Sequence, residues 1–436
     1  MTPPAETLFS AAALAVLALP GAALLGWISV ARPRLGLYLL LACSPTQFIF
    51  IPVADFFTSL ADVLALFGAA GFAWRLASGD PRSRRALQLH VFLGLMLAGY
   101  LVGFLVLDHF SRTIVRIPMA VTASVLACEL LGERRHLARA IAALIAAAFL
   151  DVVYGCYLIA SGQPGHPTRF SGMMGVNFSA MVILSGAAMA FARFGRTRVP
   201  AKLLIPGVLS LAGLATLSKN GLIVLVAAWM TVIWRVMTPA NRRLVVTAAG
   251  LLGVLALTHG GIRDRVLARV RPEVQLDGVH RTSTDVRMLI LRSAWGALAE
   301  QPLVGVGYYE FEEYSRNDQE IVRSTAGTGY GTHNTYLEVL VEGGLLAFVP
   351  LLLHFLLYAR RLGTAWHAIA RRHDTIAAAA LAGLLVVTIS AAVANVLLHY
   401  LFWSTCGVAL AALEHLRTEF RRADAEPIPA GGPSSR

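Results

Sequence analysis

The stretch Thr332-His-Asn-Thr-Tyr-Leu-Glu-Val-Leu-Val-Glu-Gly-Gly-Leu-Leu-Ala-Phe348 joins the longest polar segment of the chain to an apolar run that continues to Tyr358. A run of that length with a polar preface reads as a membrane-spanning helix entered from water. Thr335 and Glu338 have the spacing of a capping box, so the helix is expected to begin there. His333 then stands just outside the first turn, where unpaired backbone N–H groups and the helix dipole give a positive potential. Such a potential disfavours imidazolium, so His333 is expected to be neutral near pH 7 and able to accept a proton as a general base. The plainer alternative is that His333 and Asn334 simply open a helix.

Outward from this stretch, apolar segments recur along the whole chain. Thirteen are candidates, from 8–31 and 35–53 at one end to 376–397 and 399–416 at the other. The chain is 57% hydrophobic and 14% charged over 436 residues, with mean hydropathy +0.65. That is too apolar for a soluble globule of this size. The expected fold is therefore an all-α polytopic membrane protein of about 12 transmembrane helices, with one large periplasmic loop that itself contains helices. Residues 1–258 would form the N-terminal helices, 259–335 the loop subdomain, 336–416 the C-terminal helices and 417–436 a disordered cytoplasmic tail.

Orientation follows from the arginines. Arg32 to Arg34, Arg75 to Arg85, Arg134 to Arg139, Arg193 to Lys202, Arg235 to Arg243, Arg360 to Arg372 and Arg417 to Arg422 are all basic connections. Placing them all in the cytoplasm gives a consistent alternation and leaves the long loop outside. Thirteen segments against twelve crossings leaves the side of the N-terminus open. Met1 to Glu6 lacks the basic region of a secretory signal, so the first segment is expected to be retained.

The net charge of +12 is explained by those cytoplasmic connections, and no basic domain points to nucleic acid. Cys43, Cys128, Cys156 and Cys406 lie in apolar surroundings without metal-ligand spacing. No Asp-x-Asp occurs, and Gly305-Val-Gly307 is too short for a nucleotide fingerprint. Neither a metal nor another cofactor is expected.

The outer loop carries nine arginines and no lysine, and seven of the nine precede Ala294, among them Arg265, Arg287 and Arg292. A guanidinium grips phosphate bidentately and keeps its charge, which suits a pyrophosphate at a membrane surface. Each arginine alone reads equally well as a solvated helix-face residue. Arg169, in Arg-Phe-Ser-Gly172, and Lys219, in Leu-Ser-Lys-Asn-Gly221, sit at outer turns on the same face; either could instead anchor a helix end by snorkelling.

The order of these pieces resembles the O-antigen ligase and polymerase superfamily of bacterial inner-membrane glycosyltransferases. The resemblance is carried by Arg169-Phe-Ser-Gly172 with Asn177, Leu217-Ser-Lys-Asn-Gly221, Arg287, Ala294-Trp295, Gln301-Pro-Leu-Val-Gly-Val-Gly307, His333-Asn-Thr-Tyr-Leu-Glu338 and Glu342-Gly-Gly-Leu-Leu346. It covers roughly the second half of the chain. Lys219 stands where the family often has arginine, and Ala347 where it has a second glycine.

The resemblance implies metal-independent, inverting transfer of a glycan from undecaprenyl pyrophosphate to an acceptor on the periplasmic side. His333 would deprotonate the acceptor, Arg287 would stabilise the departing diphosphate, and Arg265, Arg169, Lys219, Arg292 and Asn334 would bind substrate. A single large outer loop and a short tail favour the ligase, whose acceptor is the lipid A-core oligosaccharide of lipopolysaccharide. An O-antigen polymerase or a protein O-oligosaccharyltransferase are sibling alternatives. A transporter or flippase of lipid-linked glycan is the alternative of another class, with Asp62 and Asp151 as its few candidate mid-membrane charges.

Overall fold

The computed structural model describes residues 21, 23–48, 51–53, 56–107, 116–162, 170–173, 175–261, 263–264, 275–276, 279–280, 283–324 and 331–425. The chain is helical, as expected, with two short antiparallel hairpins added. β1 (Ile51–Val53) pairs with β2 (Phe56–Thr58), and β3 (Gln275–Leu276) with β4 (Val279–His280).

The first helices are α1 (Pro33–Cys43), α2 (Leu60–Ala77), α3 (Pro81–Leu89), α4 (Val91–Leu107), α5 (Arg116–Leu130), α6 (Arg134–Ala160) and α7 (Gly175–Phe194). After α8 (Leu204–Ala215), α9 (Lys219–Ala228) and α10 (Pro239–Thr258) comes the loop, with α11 (Ser283–Glu300), α12 (Phe311–Ser315) and α13 (Gln319–Ser324). α14 (Thr335–Arg372), α15 (Thr375–Ala391) and α16 (Tyr400–Ala425) follow. Side-chain caps fix several starts: Ser59 and Asp62 form a capping box on α2, Asp80 precedes Pro81 on α3, and Asp374 caps α15.

Among the described residues, four helices are long and apolar enough to cross a membrane: Leu60–Ala77, Arg134–Ala160, Val176–Phe194 and Thr335–Gly363. α3 and α4 meet at 62° and make a fifth if they form one broken span. Several segments expected to span are shortened by local breaks. The 35–53 segment stops being α-helical at Cys43, ahead of Pro45, and turns into β1. The 376–397 segment ends at Ala391, and 392–399 forms a turn. The 417–436 tail also needs correction: α16 continues through it to Ala425, and 426–436 lie outside the described residues.

α15, rich in alanine and almost wholly buried, packs along α7; α16 packs along α5 and α14 along α4. One end of this bundle gathers the basic connections. There Arg75 pairs with Glu129 at 2.6 Å, Arg134 with Asp374 at 3.2 Å, and both Arg85 and Arg361 with Glu414. The other end carries the starts of α2, α5, α14 and α16.

The loop is tied to α14 at a break in that helix. Gly344 has φ +61° and ψ −167°, which interrupts the i→i−4 ladder and strips partners from the carbonyls of Val341 and Glu342 and the N–H groups of Leu345 and Leu346. All four find new partners in the Pro-Leu-Val-Gly-Val-Gly loop. Val306 and Gly307 donate to Val341 O and Glu342 O (2.9 and 3.1 Å), while Leu345 and Leu346 donate to Pro302 O and Leu303 O (2.9 and 3.1 Å). The two backbones lie so close that a Cβ at Gly344 would meet Leu303 O at 2.2 Å, and one at Gly305 would meet Val341 O at 2.4 Å.

Candidate functional site

The turn before α14 is built differently from the expected capping box. Asn334 is the N-cap: its Oδ1 accepts the N–H groups of Tyr336 (3.0 Å) and Leu337 (3.2 Å). Thr335 is the first helical residue. Its hydroxyl donates to Ala394 O at 2.8 Å and accepts Val396 N–H at 2.7 Å, stitching the turn to the 392–399 turn. Thr332 Oγ1 lies 3.1 Å from Asn395 Oδ1 in the same seam. Because Asn334 spends its oxygen on the helix, only its amide N–H₂ remains for a substrate. Glu338 makes no reciprocal cap bond. It is buried, and Oε2 has no hydrogen-bond partner among the described residues.

His333 sits between these fixed points with φ +48°, a left-handed conformation that non-glycine residues rarely adopt. It is half-buried, and its pKa lies below the ordinary imidazole value. Burial is the larger cause and the charge of Arg287 the smaller. The direction is the one expected from sequence, with burial as its leading cause.

Arg287 reaches this neighbourhood because the loop has a core of its own. Ile290, Ala294 and Ala297 of α11 pack with Phe311, Ile321 and the α14 residue Val341. Arg287 flanks that buried stripe and is exposed. Arg292, five residues on, projects from the opposite side of α11, so the structure does not bring it to His333.

Lys219 opens α9, whose N-cap Ser218 accepts Gly221 N–H at 3.3 Å. Arg169 and Arg265 lie outside the described residues. The turn after Arg169 is described. Phe170 donates its N–H to Ala215 O at 3.1 Å, at the end of α8, and Met173 donates to Asp151 Oδ1 at 2.7 Å. Asp151 thus holds a turn in place, and a Cβ on Gly172 would strike its carboxylate at 2.4 Å. Phe178, at the start of α7, stacks on His399 with ring centroids 4.3 Å apart. The motif pieces at 170–173, 178, 215–221 and 331–335 therefore meet around the 392–399 turn, at the bundle end away from the basic connections.

Residues 204–352 match the family model described as O-antigen ligase. Within that span the chain is similar to the O-antigen ligase family. That match takes in Lys219, Arg287, the 302–307 loop, the His333 turn and the Gly344 break. No curated protein matches the chain.

Sequence reasoning missed part of this end of the bundle. Tyr400 Oη donates to Asp62 Oδ1 at 2.8 Å, Arg116 stands 3.9 Å from Asp62 Oδ2, Tyr400 N–H donates to Gln47 Oε1 at 2.9 Å, and Gln47 Nε2 lies 3.0 Å from His399 Nδ1. Asp62 is thus a paired cap at a helix start, not a lone mid-membrane charge. Asp151 likewise holds a turn through Oδ1. Tyr308 was missed as well. Burial first, then the Glu338 and Glu342 carboxylates, push its phenol well above the usual pKa, so it stays protonated. The only sequence signal for these residues is a polar side chain at the edge of an apolar run, which occurs at most helix ends.

Proposed function

We propose that this chain is a metal-independent, inverting glycosyltransferase that moves O-antigen polysaccharide from undecaprenyl pyrophosphate to the lipid A-core oligosaccharide. It works in the bacterial inner membrane with its site facing the periplasm. The observation that carries this reading is a half-buried imidazole, kept neutral by its surroundings, within electrostatic reach of a guanidinium at the end of a membrane bundle.

His333 takes the proton of an acceptor hydroxyl as its oxygen attacks the anomeric carbon. The bond between that carbon and the diphosphate oxygen breaks, and the diphosphate leaves with the bonding electrons. Attack opposite the leaving group inverts the anomeric centre. Arg287 stabilises the charge that develops on the diphosphate, and Lys219, Arg169, Arg265 and Arg292 are the further cations available to the carrier. Fixed guanidinium charge does here what a divalent cation does elsewhere.

Reconstitution with lipid-linked glycan and purified rough lipopolysaccharide tests this. Glycan should appear on lipopolysaccharide with or without chelator, and His333→Ala should abolish it while carrier binding persists. Product on the carrier itself or on protein would select a sibling activity; dependence on added metal would overturn the metal-free step.

A further inference from the structure

The bundle end away from His333 contains a cavity of about 600 Å³ between α1, α2, α3, α5 and α6. Five guanidiniums line it, Arg32, Arg34, Arg75, Arg82 and Arg139, against the two carboxylates of Asp80 and Glu129. Part of that charge is already matched. Arg75 grips Glu129 with Nε and Nη2 at 2.7 and 2.6 Å, and Arg34 stands 3.8 Å from Glu133. Asp80 Oδ1 is taken by the backbone N–H of Arg82, 2.9 Å away, as the cap of α3. The Arg32 and Arg82 side chains are exposed, and no ion pair with another described residue holds either. The recess therefore keeps a positive excess directed at solvent.

Its remaining wall is Pro33, Leu35 and Leu130 together with Tyr38 and His136, whose Oη and Nδ1 lie 2.8 Å apart and so satisfy each other. Two exposed indoles neighbour its lining residues in the chain: Trp74, beside Arg75 on α2, is 72% exposed, and Trp27, in the helix over 23–31 that leads to Arg32, is 61% exposed. Exposed tryptophans mark the headgroup level of a bilayer. A basic recess between membrane helices at that level suits a phosphate whose acyl chains run down the neighbouring apolar surface. The two indoles and the apolar part of the wall favour a lipid over a soluble anion.

We propose that this recess binds the phosphate of an anionic phospholipid, with Arg32 and Arg82 as its principal contacts. The site lies at the far end of the bundle from the proposed transfer chemistry, and its occupancy does not depend on that reading.

The test uses full-length protein in nanodiscs of phosphatidylethanolamine with a minor fraction of phosphatidylglycerol, followed by native mass spectrometry of retained lipid. Phosphatidylglycerol should be enriched on the protein. The Arg32→Gln/Arg82→Gln variant should lose that enrichment roughly tenfold to thirtyfold, and Arg32→Lys/Arg82→Lys should restore most of it. Arg316→Gln/Arg323→Gln removes the same charge from exposed positions in the outer loop and should leave retention unchanged. Equal retention by wild type and the Arg32/Arg82 glutamine variant, or equal loss in the Arg316/Arg323 variant, would overturn the assignment. So would tight binding of inorganic phosphate in lipid-free detergent that vanishes with Arg32 and Arg82, because a soluble anion would then own the cavity.

Discussion

His333 is the residue on which the proposed chemistry turns, and its surroundings make a pH prediction with a definite sign. The neutral imidazole is the working base and exists above its pKa. Because burial and Arg287 hold that pKa below about 6.5, transfer should persist into mildly acidic buffer and fall only as pH drops through the lowered value. Arg287→Gln removes the smaller of the two causes, so the acid limb of the kcat profile should move towards higher pH yet stay below the ordinary imidazole value. A limb that does not move would separate Arg287 from His333. His333→Ala should cost about a hundredfold to ten-thousandfold in kcat, measured as glycan transferred per enzyme with carrier binding as the control. At this scale the sequence anticipated the direction of the His333 pKa but misread its frame. A Thr-x-x-Glu spacing is satisfied by any helix with those residues, and the cap fell to Asn334 because Thr335 is drawn into bonds with Ala394 and Val396. Those partners are about sixty residues away, so no local pattern could reveal them.

At the scale of elements, the break in α14 is what holds the loop against the membrane bundle. Replacing Gly344 with alanine forces a side chain into a positive-φ extended conformation (φ +61°, ψ −167°) that essentially only glycine adopts, about 1–3 kcal/mol by itself, and drives its Cβ to 2.2 Å from Leu303 O. The expected outcome is detachment of the 302–307 loop, seen as a melting temperature lower by several degrees in detergent and as loss of transfer even with His333 intact. An unchanged melting curve would show that the break is not a required joint. Thr335→Val keeps the shape of that side chain and removes its two hydrogen bonds to the 392–399 turn. Leaving Ala394 O and Val396 N–H unpaired in a buried seam should cost about 1–3 kcal/mol, read as a lower melting temperature.

Across the whole molecule, the arrangement is two-ended. The basic connections and their ion pairs with Glu129, Glu133, Asp374 and Glu414 collect at one end, and the motif turns at the other. If the bundle spans a membrane as proposed, the two ends meet different compartments. After Cys156, the exposed native cysteine, is changed to serine, a cysteine at Arg316 should react with a membrane-impermeant maleimide in spheroplasts. One at Arg135 should react only after permeabilisation. Labelling of both without permeabilisation, or of neither, would leave the proposed outer site without a compartment.

The sequence by itself determined the class of protein, the gathering of basic connections on one side, and the family likeness carried by the Pro-Leu-Val-Gly-Val-Gly and His-Asn-Thr-Tyr-Leu-Glu pieces, because hydropathy, charge and short motifs are local quantities. It drew the 35–53 and 376–397 segments longer than their helices, since hydropathy runs smoothly through the points where Pro45 and the 392–399 turn stop an α-helix. Only the tertiary structure decided that Arg287 and not Arg292 approaches His333, that Asp62 belongs to Tyr400, and that the Gly344 break receives the 302–307 loop. Each of those depends on which distant surface fills the space beside a residue, and that is fixed by packing between helices far apart in the chain.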